Sequence, residues 1–490
     1  MYKKVKKQIK IQEFKTGFGN LDATNRWVQL AQMIPWEKYE EKYAEQFCKD
    51  NGSPAIKFRM AMGTLIIKQR TGHSDEETLQ DIKENPYMQY LIGLQEFTKT
   101  APFASSSITN FRKYISKEMI SEINDEMFRN DNNDEGNDDG GESNGKTGNT
   151  QDNGQPGQPT GQPPNKGTLI LDATCAPADI AYPTDINLLN EAREKLEGMI
   201  DTLHPQGSYL DKPRTYRENA RREYLEFIMK RKPGQEAVRK AIGQQLRYVA
   251  RDINHVEKML QEFSMKKLSR SQEEWFSAIH ILYQQQLSMY EQKTHSVEHR
   301  IVSIGQPHVR PIVRGKAQAP VEFGAKISIS LVNGYAFIDR MDWNSYNEAT
   351  QLIPALEAYK KHHGYYPERV LADQIYRNRD NRAYCKERGI RLSGPRLGRP
   401  PKETDHALLK QEADDSADRN AVEGKFGEGK SKYGLNRIMA RLKDSSETVI
   451  ALTFFCMNIS RRLRFIFQFF CNCLYFIANC LFPKFYRVFG

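Results

Sequence analysis

The spacing of apolar residues changes period twice along the chain. Over residues 1–128 it is helical. Trp27, Leu30, Met33 and Ile34 recur on one helical face, and a second apolar helix is expected over about 56–68. Ser74-Asp75-Glu76-Glu77 has the form of a capping box and predicts a third helix, which Pro86 ends. A short helix is expected over 87–94. Ser105-Ser106-Ser107 then leads into a basic helix, ITNFRKYI, expected to expose Arg112 and Lys113. From 129 to 167 the pattern vanishes. This stretch holds no aliphatic or aromatic residue and is built of Asn, Asp, Gly, Gln and Pro. It cannot bury enough apolar surface to offset its ordering entropy, so a flexible, disordered linker is expected.

Past residue 168 short apolar runs appear. Thr168-Leu-Ile-Leu-Asp172 reads as a buried strand delivering Asp172 at its C-terminal end. A long arginine-rich and lysine-rich amphipathic region follows, a helical insertion over about 186–300. Two β-runs, 323–331 and 335–339, flank Val332-Asn333-Gly334, and Asn-Gly between β-runs signals a hairpin. A helix is expected over 347–362. Arg369-Val-Leu-Ala-Asp373 is a second strand ending in a carboxylate, followed by a helix (379–388), a strand (389–392) and a long helical stretch from Ser416. With the insertion removed, this is the order of a ribonuclease-H-like α/β domain. The expected organisation is an all-α N-terminal domain (1–128), the linker (129–167), an α/β catalytic domain (168–463) and an aromatic-rich tail (464–490).

Composition narrows the partners. With 490 residues and 39% hydrophobic content, the chain can build two or three packed domains. A net charge of +10 suits nucleic acid, and equally a merely basic soluble protein. Seven cysteines at irregular spacing, with no CxxC pair and no apolar segment after the basic N-terminus, are read as reduced cytoplasmic thiols. The N-terminal helices fit a helix-turn-helix reader of DNA or a plain bundle with a basic face. The loop Gly398-Arg399-Pro400-Pro401-Lys402 fits a minor groove or a stiff connector. The tail, FIFQFFCNCLYFIANCLF, has nearly the length of a bilayer span. Gln468, Asn472 and Asn479 interrupt it, and docking on the catalytic domain or on a second subunit is the preferred reading.

The candidate chemistry lies in three carboxylates. Phosphodiester cleavage recurrently uses two divalent metals, which activate the attacking oxygen and stabilise the leaving one. Mg²⁺ and Mn²⁺ prefer oxygen ligands, so carboxylates must converge. Two strand ends can supply Asp172 and Asp373, and a helix crossing them can supply Glu423. Asp179, Asp185 and Asp380 are rivals; Asp185 reads best as a helix N-cap. Asp339 and Asp342 rank lower. Arg419 and Lys430 lie four residues before and seven after Glu423, on the same helical face. They suit phosphates, and equally fit a solvated charged helix. Gly424, Gly427 and Gly429 count against the latter and fit a close approach.

At these residues the chain resembles the bacterial insertion-sequence transposases of the DDE type, in the group with a helical N-terminal transposase domain. The resemblance extends over most of 20–460. It rests on Arg419, Glu423 and Lys430, which keep that family's Arg-x₃-Glu-x₆-Lys spacing, and on the segments around Asp172 and Asp373. The family's tyrosine three residues before the arginine is replaced by Ser416. The resemblance implies a catalytic and metal-binding triad of Asp172, Asp373 and Glu423 holding two Mg²⁺ or Mn²⁺ ions. It further implies phosphate contacts from Arg419 and Lys430, double-stranded DNA as partner, a dimer or larger assembly when two element ends are joined, and a bacterial, nucleoid-associated protein. The competing readings are a nuclease of the same fold and a DNA-binding repressor with a decayed catalytic domain.

Overall fold

The computed structural model describes residues 8–16, 19–48, 54–129, 163–204, 212–262, 267–313, 321–394 and 406–481, with side chains as far as 468 in the last of these. Most of the expected linker, the loop carrying Arg399 and the end of the tail fall outside the described residues.

Among the described residues, seven α-helices precede residue 129: α1 (Arg26–Met33), α2 (Trp36–Ala44), α3 (Phe58–Thr71), α4 (Asp75–Glu84), α5 (Pro86–Leu91), α6 (Ser107–Tyr114) and α7 (Lys117–Phe128). The cap at Ser74 forms as the sequence predicts. Its hydroxyl accepts from the Glu77 backbone N–H, while the Glu77 carboxylate accepts from the Ser74 N–H. Asn85 caps α5 and Pro86 takes its first position, where a missing N–H costs nothing.

After the linker come β1 (Thr168–Pro177) and four helices, α8 (Asp185–Leu203), α9 (Arg217–Ile228), α10 (Gln235–Glu262) and α11 (Arg270–Gln292). Then follow β2 (Arg310–Val313), β3 (Val321–Val332), β4 (Tyr335–Asp342), α12 (Leu352–His363), β5 (Arg369–Ala372), α13 (Arg379–Glu387), β6 (Arg391–Leu392), α14 (His406–Lys432) and α15 (Lys443–Leu481). The strands form one mixed sheet. β1 lies between antiparallel β3 and parallel β5, β6 extends the parallel side, and β2 and β4 share the far edge of β3. The hairpin turns at Asn333 (φ 50°) and Gly334 (φ 75°), the left-handed pair that a two-residue turn requires. At Gly324 a Cβ would meet the Ala176 carbonyl oxygen at 2.0 Å, so only glycine lets β3 pass the end of β1.

The ends of two elements depart from the sequence reading. Asp172 does not end its strand: β1 runs on to Pro177 because Ala173 to Ala176 pair with β3. And Asp185 is not the N-cap of α8. Thr184 is, while Asp185 pairs with Arg300.

The side chains pack into two hydrophobic cores. The larger one runs without a break from the N-terminal helices through the sheet to α12, α14 and α15. Phe128 of α7 stacks on Tyr335 of β4, with ring centroids 5.0 Å apart, and touches Phe455 of α15. Beside it the buried Asn458 amide donates to Asn124 Oδ1 and to the Ala336 carbonyl, each at 2.8 Å, and accepts from the Ala336 N–H. The second core joins α8, α10 and α11 to Leu268, Ile301 and Ile304. Among the described residues, no helix is long and apolar enough to cross a membrane.

Candidate active site

The register of the sheet makes Asp172 and Asp373 neighbours. Parallel β1 and β5 pair as far as Leu171 and Ala372, so the next residue on each strand is one of the two aspartates. Asp373 is exposed and caps the following turn, its Oδ1 accepting from the Gln374 N–H at 2.6 Å. Asp172 is half-buried and accepts from the Ala173 N–H at 2.7 Å. Burial pushes the Asp172 carboxyl up to about 6. The Ala173 N–H and the Arg419 guanidinium pull it down, while Glu348 and Asp373 push it further up. A carboxyl with that balance is largely ionised at neutral pH.

Helix α14 crosses this edge of the sheet. Nearly three turns in, it is clamped by the buried Asp415, which accepts from Arg391 Nη2 at 2.8 Å and from Arg369 Nη1 at 3.3 Å. Asp418 adds an ion pair to Arg369 at 2.7 Å. The sequence reading missed Asp415, because nothing local distinguishes it from the other acids of ADDSAD. The clamp sets Arg419 close enough to act on Asp172, and Arg419 also pairs with Glu423 at 3.8 Å. Glu423 itself is 60% exposed. Among the described residues, no three His, Cys, Asp or Glu side chains lie close enough together to hold one metal ion. The structure thus brings Asp172 and Asp373 together with Arg419, and holds Glu423 against Arg419.

Two further groups border Asp172. Glu348, at the first turn before α12, pairs with the buried Lys326 of β3 at 2.8 Å. Tyr376 is buried after β5. Burial first, then the nearby charges of Glu348 and Asp172, push its phenol far up, so it stays protonated. Neither carried a sequence signal beyond a helix start and a short apolar run.

The remaining candidates are scattered. Lys430 is half-buried at the end of α14, and Lys113 is exposed on α6. Arg112 is not exposed as expected: its side chain is 13% accessible and pairs with Asp75 at 2.7 Å, which Lys68 shares. Of the glycines on α14, Gly429 makes a close approach, since a Cβ there would meet Leu435 and Met457. Gly424 and Gly427 face open space. Ser416 is exposed, one residue past the Asp415 clamp.

Comparison with known proteins bears on the two ends of the chain. Residues 370–460, which include Asp373, Arg419, Glu423 and Lys430, match the family described as "Transposase DDE domain". Residues 18–114 match the family described as "Transposase domain (DUF772)". A curated relative, "Uncharacterized protein ORF8 in nfe locus" of Rhizobium meliloti, is 34% identical over 96 residues, 20% of this chain. The chain spans 46% of that protein's length. No solved structure matches the chain. The resemblance to insertion-sequence transposases of the DDE type is therefore borne out, with one transposase-family segment on each side of residues 129–167.

Proposed function

We propose that the chain is a transposase, an enzyme that binds the ends of a mobile DNA element and catalyses metal-dependent strand cleavage and strand transfer. The observation that carries this reading is the lateral pairing of Asp172 with Asp373 under a helix that presents Arg419 and Glu423. The sheet supports it. A central β1, flanked by an antiparallel hairpin on one side and parallel β5 and β6 on the other, is a ribonuclease-H-like order, with α8–α11 inserted after the first strand.

The donor set fits a hard divalent cation. Asp172 and Asp373 offer carboxylate oxygens, the ligand type that Mg²⁺ and Mn²⁺ prefer, and Glu423, held against Arg419 rather than beside the two aspartates, would be the third carboxylate. Two bound ions would supply activation of the attacking oxygen and stabilisation of the leaving one. The chain's own residues do the rest. Asp415 fixes α14 against the sheet, so Arg419 stays beside Asp172. Arg419 holds Glu423 at the mouth of the site and offers a planar cation to a phosphate. Lys430 offers a second. Lys113 extends the DNA surface, while Arg112 serves it by fixing the start of α4 through Asp75; Arg399, a further candidate phosphate contact, lies outside the described residues.

The test uses purified full-length protein with duplex DNA carrying the inverted repeats that flank its own reading frame, plus Mg²⁺ or Mn²⁺. Strand-transfer products, absent in Asp172→Asn, Asp373→Asn and Glu423→Gln, are the expected result. Cleavage without joining would make it a nuclease. Binding without chemistry, unaffected by Asp373→Ala, would make it a DNA-binding repressor.

A further inference from the structure

We infer that the outer face of α10 is a track for the phosphate backbone of duplex DNA, separate from the carboxylate site. The inference rests on the DNA-processing reading and adds a surface to it.

Helix α10 is 28 residues long and buries one face, through Leu246, Val249, Ile253 and Val256, in the second core. The opposite face follows from 3.6-residue periodicity. Over five turns it carries Lys240, Gln244, Arg247, Arg251, Asn254 and Lys258. Every one of these side chains donates hydrogen bonds and none is acidic. Lys240, Arg247, Asn254 and Lys258 are exposed. The acids of the helix lie off this face or at its ends: Asp252 is fully buried, Glu257 points to one flank, and Glu236 and Glu262 stand beyond the stripe.

Solvated helices usually alternate charge, and several cations on the neighbouring helices do sit beside acids. Arg222 pairs with Glu226 at 3.9 Å, Arg270 with Glu274 at 3.2 Å and Lys195 with Glu191 at 3.5 Å. Among the described residues Lys240, Arg247 and Lys258 have no such carboxylate partner. At 1.5 Å per residue the stripe is about 27 Å long, most of one turn of duplex DNA. A straight row of donors in which Lys240, Arg247 and Lys258 carry no paired carboxylate is complementary to a polyanion of regular spacing. Arg251 is held in place by Asp252 and stacks on the Tyr248 ring, which stiffens the middle of the row.

The test measures binding of a fluorescein-labelled 40-base-pair duplex of arbitrary sequence to the full chain over a range of salt concentrations. The variant is Lys240→Gln/Arg247→Gln/Lys258→Gln, all at exposed positions. A control, Lys38→Gln/Arg222→Gln/Arg270→Gln, removes the same charge elsewhere. Each lost phosphate contact lowers the slope of log affinity against log salt by about 0.9, so the stripe variant is expected to lose about 2 to 3 and the control much less. An unchanged slope in the stripe variant, or an equal fall in both, overturns the inference. Cleavage of the element's ends, measured alongside, separates the two readings. Cleavage with an unchanged slope refutes the track alone. A slope that falls as expected without cleavage by the parent chain refutes the enzyme and upholds the track.

Discussion

The two cores of this molecule are assembled on opposite plans. The larger core is discontinuous in sequence. It takes helices from before residue 129, strands from 168 to 392 and a helix that begins at Lys443, and it seals them through Phe128, Tyr335, Phe455 and Asn458. The smaller core is nearly continuous, drawn from residues 188 to 304 alone. The difference shows that a break in composition need not mark a boundary between packed cores. The stretch of polar residues interrupts a single packed body, whereas the body that packs by itself interrupts the sheet, between β1 and β2. The proposed carboxylate site belongs to the first plan and the long cationic face of α10 to the second.

The largest expected effect tests where the chemistry resides. Asp172→Asn or Asp373→Asn should lower strand transfer to the uncatalysed background while leaving the melting temperature of both bodies nearly unchanged; a variant that keeps measurable turnover would move the site elsewhere. Next is the weld of the larger core. Phe455→Ala empties a fully buried aromatic position and should cost about 3–5 kcal/mol. Hydrogen exchange should rise together in α3, α7 and β4, although the chain separates them widely; protection lost in α15 alone would mean that the N-terminal helices are independent. In the smaller core, Leu282→Ala should cost about 2–5 kcal/mol. Its effect on exchange should stay within α8, α10 and α11, and spread into β1 would show the two bodies to be one cooperative unit.

A smaller effect uses one acid in each body whose carboxyl burial shifts upward. Burial pushes the Asp252 carboxyl of the array up to about 7, against the opposing pull of Arg251, and the Asp339 carboxyl of the sheet up to about 7, against its hydrogen bond from Ser330. An unfolded aspartate loses its proton near pH 4, at about 3.9. Each folded acid therefore keeps a proton that the unfolded chain has lost, and stability falls as pH rises from about 4 to about 7. Each unit of that difference is worth about 1.4 kcal/mol. Asp252→Asn should flatten the pH dependence of the array's unfolding and leave that of the sheet in place. Equal flattening of both, followed by exchange at several pH values, would contradict the division.

Local signals were legible. The Ser74 cap, the Asn333-Gly334 hairpin and the order of strands and helices could be read because each depends on a few neighbouring residues. The adjacency of Asp172 and Asp373 followed from strand order. What escaped was long-range. The run Leu169–Leu171 gave no hint that β1 continues past Asp172, since the continuation depends on pairing with β3, some 150 residues away. Arg112 read as a free cation because its partner, Asp75, lies 37 residues earlier. Asp415 and Glu348 are held by Arg369, Arg391 and Lys326, residues far from them in sequence.

The contact between Asn458, Asn124 and Ala336 has a practical corollary. Residues up to 129 and residues from 163 onward meet through buried surface and paired amides, so their association does not depend on the intervening sequence to set a distance. Two fragments, made separately and divided within that stretch, should find each other and rebuild the whole body. The molecule is, in effect, a complex of two polypeptides that happen to be translated as one.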